Sequence, residues 1–192
     1  MKRILLALAL FAPVLLAAQV KVCFEGDDYR SLGVYDLWEA SPFMTGELEA
    51  NCAVIANHLK DSLNKSDKVL ALQRSRYGSN TFGVKIVLKT SFELTPQIKH
   101  VSFMVHRPYS GRVMVIGLGK RRDRPWQNAD TQQFVAVSRT DIPPDRWFEV
   151  SLPVKGAGGI DVYSIVVVPD CESPHDYVED KACYIDNIEV KM

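Results

Sequence analysis

Short apolar runs with every second residue polar recur along the chain from Val69 onward, separated by turn residues. That two-residue period is the mark of strands with one buried face. Val69-Leu70-Ala71-Leu72-Gln73 comes first, and Phe82, Val84, Ile86 and Leu88 then alternate with Gly83, Lys85 and Lys89. Residues 101–106, 112–118, 133–137, 147–152 and 160–168 repeat the pattern. The breaks carry turn chemistry, as in Pro108-Tyr109-Ser110-Gly111 and Gly156-Ala157-Gly158-Gly159. Strands at this spacing predict an all-β sandwich of two antiparallel sheets. Residues 48–63 fit two readings. Leu48, Cys52, Ile55 and Leu59 lie on one helical face, whereas Cys52-Ala53-Val54-Ile55 also suits a strand.

Residues 183–191 close the chain as a strand with an acid at its centre. The period puts Tyr184, Asp186, Ile188 and Val190 on one side and Cys183, Ile185, Asn187 and Glu189 on the other. A carboxylate on an apolar side is costly unless a cation or a set of backbone N–H groups neutralises it.

Composition changes the picture at the N-terminus. Met1-Lys2-Arg3 precedes an uncharged apolar stretch that ends in Ala17-Ala18, which reads as a secretory signal peptide over residues 1–18. Pro13 and the short length argue against a membrane span, and the junction lacks the cysteine of a lipid anchor. The expected product is a single domain over 19–192 in a periplasm or outside the cell. Removing Lys2 and Arg3 takes the balance from 23 against 23 to 21 basic against 23 acidic residues. Nothing in that balance draws the protein onto nucleic acid or an anionic membrane. The four cysteines, at 23, 52, 171 and 183, are an even set in an oxidising compartment. They allow three pairings. Cys171 and Cys183 flank a polar excursion between two strands, so that bridge is expected, leaving Cys23 with Cys52; free buried thiols are the alternative.

Four segments in order carry a family resemblance: Val22-Cys23-Phe24-Glu25-Gly26-Asp27, residues 64–72, Arg146-Trp147-Phe148-Glu149-Val150-Ser151-Leu152, and Tyr184-Ile185-Asp186-Asn187-Ile188-Glu189-Val190. The set resembles the galactose-binding-domain-like jelly rolls, which include many carbohydrate-binding modules accompanying polysaccharide-degrading enzymes. The resemblance implies first and last strands side by side and a structural calcium at that margin. Its ligands would be Glu25 and Asp186, with backbone carbonyls near Ser66 and Lys68; a hard cation wants six to eight oxygens. Asp186 accepting backbone N–H bonds is the alternative.

A sugar site needs flat aromatic faces beside planar polar groups. The candidates are Trp38, Tyr77, Tyr109 and Trp126. Trp126 follows Arg121-Arg122-Asp123-Arg124-Pro125, and a polar loop is an unusual place for a core tryptophan. The arginines there, Arg124 included, suit a carboxylate or sulfate. Arg76 and Tyr77 lie in a connection that often contributes to a site in the resembling family. Trp38 reads more readily as a core plug, and Trp147, opening a strand, as packing.

Catalysis has no support in the pattern. No pair of carboxylates is set in a compact glycosidase motif, and no Gly-x-Ser-x-Gly elbow occurs. Gln97-Ile98-Lys99-His100 only approaches the Gln-Ile-His strand of jelly-roll lyases. His58, His100, His106 and His175 lack metal-ligand spacing. The sequence therefore predicts a secreted, non-catalytic, carbohydrate-binding jelly roll whose partner is a glycan or polysaccharide. A structural or protein-interaction module on the same fold is the alternative.

Overall fold

The computed structural model describes residues 20–37, 52–74, 78–172 and 180–191. Eleven strands and no helix occur among them: β1 (Val20–Val22), β2 (Tyr29–Tyr35), β3 (Cys52–Ala56), β4 (Lys68–Arg74), β5 (Gly83–Leu94), β6 (Lys99–His106), β7 (Met114–Arg121), β8 (Thr131–Val137), β9 (Phe148–Val154), β10 (Ile160–Val168) and β11 (Lys181–Lys191). One sheet has the order β3-β4-β11-β6-β9, with β1 also on β11; the other has the order β2-β5-β10-β7-β8. Neighbouring strands are antiparallel throughout. This is the all-β sandwich that the alternating pattern predicts, and the jelly roll that the resemblance implies.

Of the ambiguous stretch, residues 48–51 lie outside the described residues, and the rest is a strand, β3, followed by an irregular segment laid over the six-stranded sheet. Strand β2 escapes the sequence pattern. Its residues Tyr29-Arg30-Ser31-Leu32-Gly33-Val34-Tyr35 are half-buried or exposed, as suits an edge strand with little need for alternation.

Between the sheets lies one core, in which Val84, Ile86, Phe92, Phe103, Val105, Val115, Ile165, Val167, Ile185, Ile188 and Val190 meet. The five-stranded sheet also carries an aliphatic layer on its outer face: Met114, Ile116, Leu118, Val166 and Val168. On the outer face of the six-stranded sheet, Val69, Met104 and Trp147 cluster with Leu59 and Tyr184 against them.

The closing strand corrects its own prediction. Ile185, Ile188 and Val190 all join the core, which strict alternation forbids. The pairing of β11 with β6 shifts register between Asp186 and Glu189, and Asn187 sits at φ 48° in the left-handed region. This bulge changes the parity of the strand. Asp186 therefore shares the outer face with Tyr184 and stands apart from Ile188 and Val190.

The expected disulfides are absent, because all four cysteines are free. Cys183 shares its inward face with Ile185, whereas Cys171 packs on the outer aliphatic layer of the opposite sheet. A sheet thus stands between the two thiols. Cys52 lies level with Leu72 and Cys183, while Cys23 follows Val22, the partner of Ile188. That offset of several residues along β11 is roughly 13 Å or more, beyond disulfide reach. Burial pushes the Cys171 and Cys183 thiols up to about 11, leaving both protonated and unreactive at neutral pH.

Candidate functional site

Strand β7 runs between the two ends of the sandwich, and its 8 residues separate them by about 26 Å. Tyr109 precedes it and Trp126 follows it, so these two aromatics cannot stack on the same sugar ring. Arg76, Tyr77 and Trp38 lie outside the described residues. The residues that bracket them, Arg74, Gly78 and Leu37, belong to the Tyr109 end, because Tyr35 pairs with Gly83 at the start of β5.

The Tyr109 end is built to hold itself together. Arg107 is fully buried, and its guanidinium donates to the carbonyls of Pro169 and Gly111 while stacking over Tyr109 at 5.2 Å. The Tyr109 hydroxyl meets Cys183 Sγ at 3.1 Å. Buried Arg74 faces Asp170 at 3.9 Å, donates to Ser79 O at 2.8 Å and covers Phe82. Tyr109 is thus half-buried, with its ring stacked on Arg107 and its hydroxyl engaged.

The Trp126 end differs in kind. Residues 122–130 form three successive turns, closed by Arg124 N to Arg121 O (3.0 Å), Gln127 N to Arg124 O (3.0 Å) and Thr131 N to Asn128 O (3.1 Å). Side chains complete what the backbone leaves open: Gln127 Oε1 accepts Arg121 N at 3.1 Å, and Asn128 Oδ1 accepts Asp130 N at 2.9 Å. Arg122 forks onto Asp161 of β10 at 2.9 and 2.7 Å and reaches Glu93 of β5 at 3.3 Å. Arg121 forks onto Asp123 at 2.9 and 2.8 Å. Lys85 on β5 reaches Asp130 at 2.7 Å, with β10 and β7 between their strands, so this pair ties the loop across the outer face.

The loop is therefore rigid, yet Trp126 at its crest is 79% exposed. An indole held out on a braced turn offers a flat apolar face to a ligand. The hydrogen bond from Arg121 holds the Asp123 carboxyl below the usual carboxylate range, and the Asp161 carboxylate raises the Arg122 guanidinium.

Tyr163, which the sequence reading passed over, joins this end. It lies at a register shift on β10 between Val162 and Ser164 and is 37% exposed. It sits two residues beyond Asp161, the acid that anchors the loop. The signal was present in the sequence as a lone large ring on the polar parity of Ile160-Asp161-Val162-Tyr163.

Glu25 and Asp186 come together as the resemblance implies, at the place where β11 exchanges β4 for β1 as its neighbour. Glu25 Oε1 accepts the backbone N–H groups of Asp67 (2.6 Å) and Lys68 (3.1 Å). Asp186 accepts from Asn64 Nδ2 at 2.9 Å and from the backbone of Asn187 at 2.7 Å. Burial, with a smaller contribution from the charge of Glu25, pushes the Asp186 carboxyl up; hydrogen bonds from Ser66, Asn187 and Asn64 oppose the shift. The Ser66 carbonyl accepts Asn57 Nδ2 at 3.1 Å. Among the described residues no cluster of three His, Cys, Asp or Glu side chains is placed for a metal. A cation here would need backbone oxygens beside the two carboxylates.

No protein-family model matches the sequence, and no curated protein matches it. Solved structures do. The CBM22-1 xylan-binding domain of Paenibacillus barcinonensis Xyn10C superposes with TM-score 0.55 at 8% identity, over 91% of this chain and 94% of that one. A xylan-binding domain from CBM 22 gives 0.54 at 10%, over 91% and 94%. The CBM22-1-GH10 modules of Clostridium thermocellum Xyn10B give 0.53 at 12%, and this chain spans 28% of that longer one. At such identities the likeness establishes the fold, which is the jelly-roll β-sandwich of carbohydrate-binding modules.

Proposed function

We propose that this protein is an exported, non-catalytic carbohydrate-binding module that docks a glycan on Trp126, with Tyr163 as a second contact. The single observation behind the reading is the crest of the β7–β8 loop: a fully braced turn presenting an exposed indole. The C–H face of a pyranose stacks on such a ring, and the rigidity of the turn lowers the entropic cost of ordering it. The neighbouring folds are binding modules of polysaccharide-degrading enzymes, which supports the same reading. Affinity electrophoresis through gels containing plant and bacterial polysaccharides tests it. Retardation by at least one polymer, lost in Trp126→Ala and weakened in Tyr163→Ala, is expected. Retardation unchanged in both variants overturns the assignment of the site.

A protein-interaction module is the second reading, favoured by strand β8. Its sequence, Thr131-Gln132-Gln133-Phe134-Val135-Ala136-Val137, is an uncharged sheet edge without proline, and Val135 and Val137 are 44% and 37% exposed. Bare edges of this kind template strand pairing. The edge strand β9 across the groove carries Pro153, which guards it. A concentration-dependent dimer in sizing chromatography, abolished by Val135→Lys, would favour this reading over glycan binding.

A calcium ion bound by Glu25, Asp186 and the Ser66 carbonyl fits the juxtaposition of two carboxylates with no base between them in the contacts described. It would supply charge compensation and lock the first strand to the last. Chelation then lowers the melting temperature, since a ligand bound only to the folded state stabilises it. An unchanged melting curve after exhaustive chelation removes the metal from the account.

A further inference from the structure

The charges around Trp126 are unevenly spent, and the imbalance points to a class of ligand. Four acids lie at this end: Glu93, Asp123, Asp130 and Asp161. Each is engaged by a base, Glu93 and Asp161 by Arg122, Asp123 by Arg121 and Asp130 by Lys85. Of the four bases from Lys120 to Arg124, Arg121 and Arg122 are thus spent, whereas Lys120 and Arg124 have no ion pair among the described residues. Lys120 stands directly opposite Asp161 in the β7–β10 ladder, but both oxygens of Asp161 are held by Arg122. Arg124 precedes Trp126 by two residues, and both its backbone N–H and its carbonyl are fixed in the turns that form the crest.

Such a surface offers donors and few free acceptors. The hydroxyls of a neutral sugar ask for both, because each O–H must also donate. A carboxylate or sulfate only accepts, and a guanidinium receives it through two parallel N–H bonds. We propose that the glycan bound at Trp126 is anionic, its carboxylate or sulfate groups received by Arg124 and Lys120. This rests on the glycan-binding reading of the same site and adds the ligand's charge to it.

Calorimetric titrations with oligosaccharides of matched length test it: neutral xylan fragments, oligouronates and sulfated oligosaccharides, each at low and high salt. One acidic series is expected to bind roughly fivefold more tightly than the neutral one at low salt, with the advantage shrinking at high salt. Whether the uronate or the sulfate series shows it identifies the anion. Arg124→Gln and Lys120→Gln should each shrink the ratio of acidic to neutral affinity, whereas Trp126→Ala should weaken both series. Neutral and acidic oligomers binding equally, with Arg124→Gln silent, overturns the anionic preference and leaves the glycan reading intact. Binding of no oligomer overturns the glycan reading itself. Acidic binding that survives Trp126→Ala and follows ionic strength alone also overturns the proposal, by marking plain counter-ion attraction.

Discussion

Two tryptophans stand beside two irregular segments, each laid over the outer face of a sheet, and they come to opposite ends. Trp147, immediately before β9, is 1% exposed. Its indole Nε1 donates to Leu59 O at 2.8 Å, and His106 meets its ring edge-on at 5.6 Å. Leu59 packs beside it on Val69 and Met104. The segment before β4 thus uses an apolar side chain and a backbone carbonyl to cover the ring. The 122–130 loop uses only polar groups, and it directs them at its own backbone and at the strands beneath. Pro125 and Ala129 are its only other apolar residues, and Trp126 stays uncovered. What buries an aromatic ring is the chemistry of the segment above it, more than its own hydrophobicity.

The comparison breaks most visibly at Trp147. Trp147→Ala should cost about 3–5 kcal/mol in denaturant unfolding, by lost burial and the cavity left behind. Trp126→Ala should stay within about 0.5 kcal/mol of the parent stability, as surface substitutions do. A large loss of stability at Trp126 would remove the contrast.

A smaller effect concerns the acid under the first segment. Asp186 titrates above its ordinary value in the folded chain, so its protonated form is favoured by folding. Its contribution to stability therefore falls as pH rises from the usual carboxylate range through that raised value. Comparing denaturant unfolding of the parent and Asp186→Asn across mildly acidic pH isolates this slope. Added calcium, if bound at Asp186, should reverse its sign, because protons then compete with the metal. A slope unmoved by calcium leaves the hydrogen-bond cluster as the whole arrangement.

The smallest expected change is at the brace. Lys85→Ala removes one partly exposed ion pair, worth a few tenths of a kcal/mol. Its mark should be faster hydrogen exchange at the amides of Arg124, Gln127 and Thr131, with the core amides unmoved. Uniform acceleration would mean that the loop is no separate unit.

Much of the sandwich was legible in the sequence because one-sided burial writes itself as alternation. Strands β4 to β11 each stand where the pattern puts them, within a few residues. β2 was not legible, since a half-buried edge imposes no strict period. Nor was the bulge at Asn187: a single extra residue inverts the parity of everything after it, and no local signal announces it. The thiol pairings failed for a related reason. Cys171 and Cys183 are near neighbours along the chain, but the faces they occupy depend on which sheet each strand joins. The exposure of Trp126 was legible from its polar surroundings. The roles of the arginines were not, because which of them remain uncommitted depends on Asp161 and Glu93, distant in sequence and adjacent in space.

The seat of β11 has one more consequence. It lies in the middle of its sheet, flanked by β6 on one side and by β4 and β1 on the other, and it is the last of the described strands to be synthesised. Until it exists, the opening strand has no neighbour and the six-stranded sheet has no centre. A nascent chain of this topology can pair the strands of its other sheet first, but it cannot complete this one until β11 arrives to join the opening strand to the middle of the sheet.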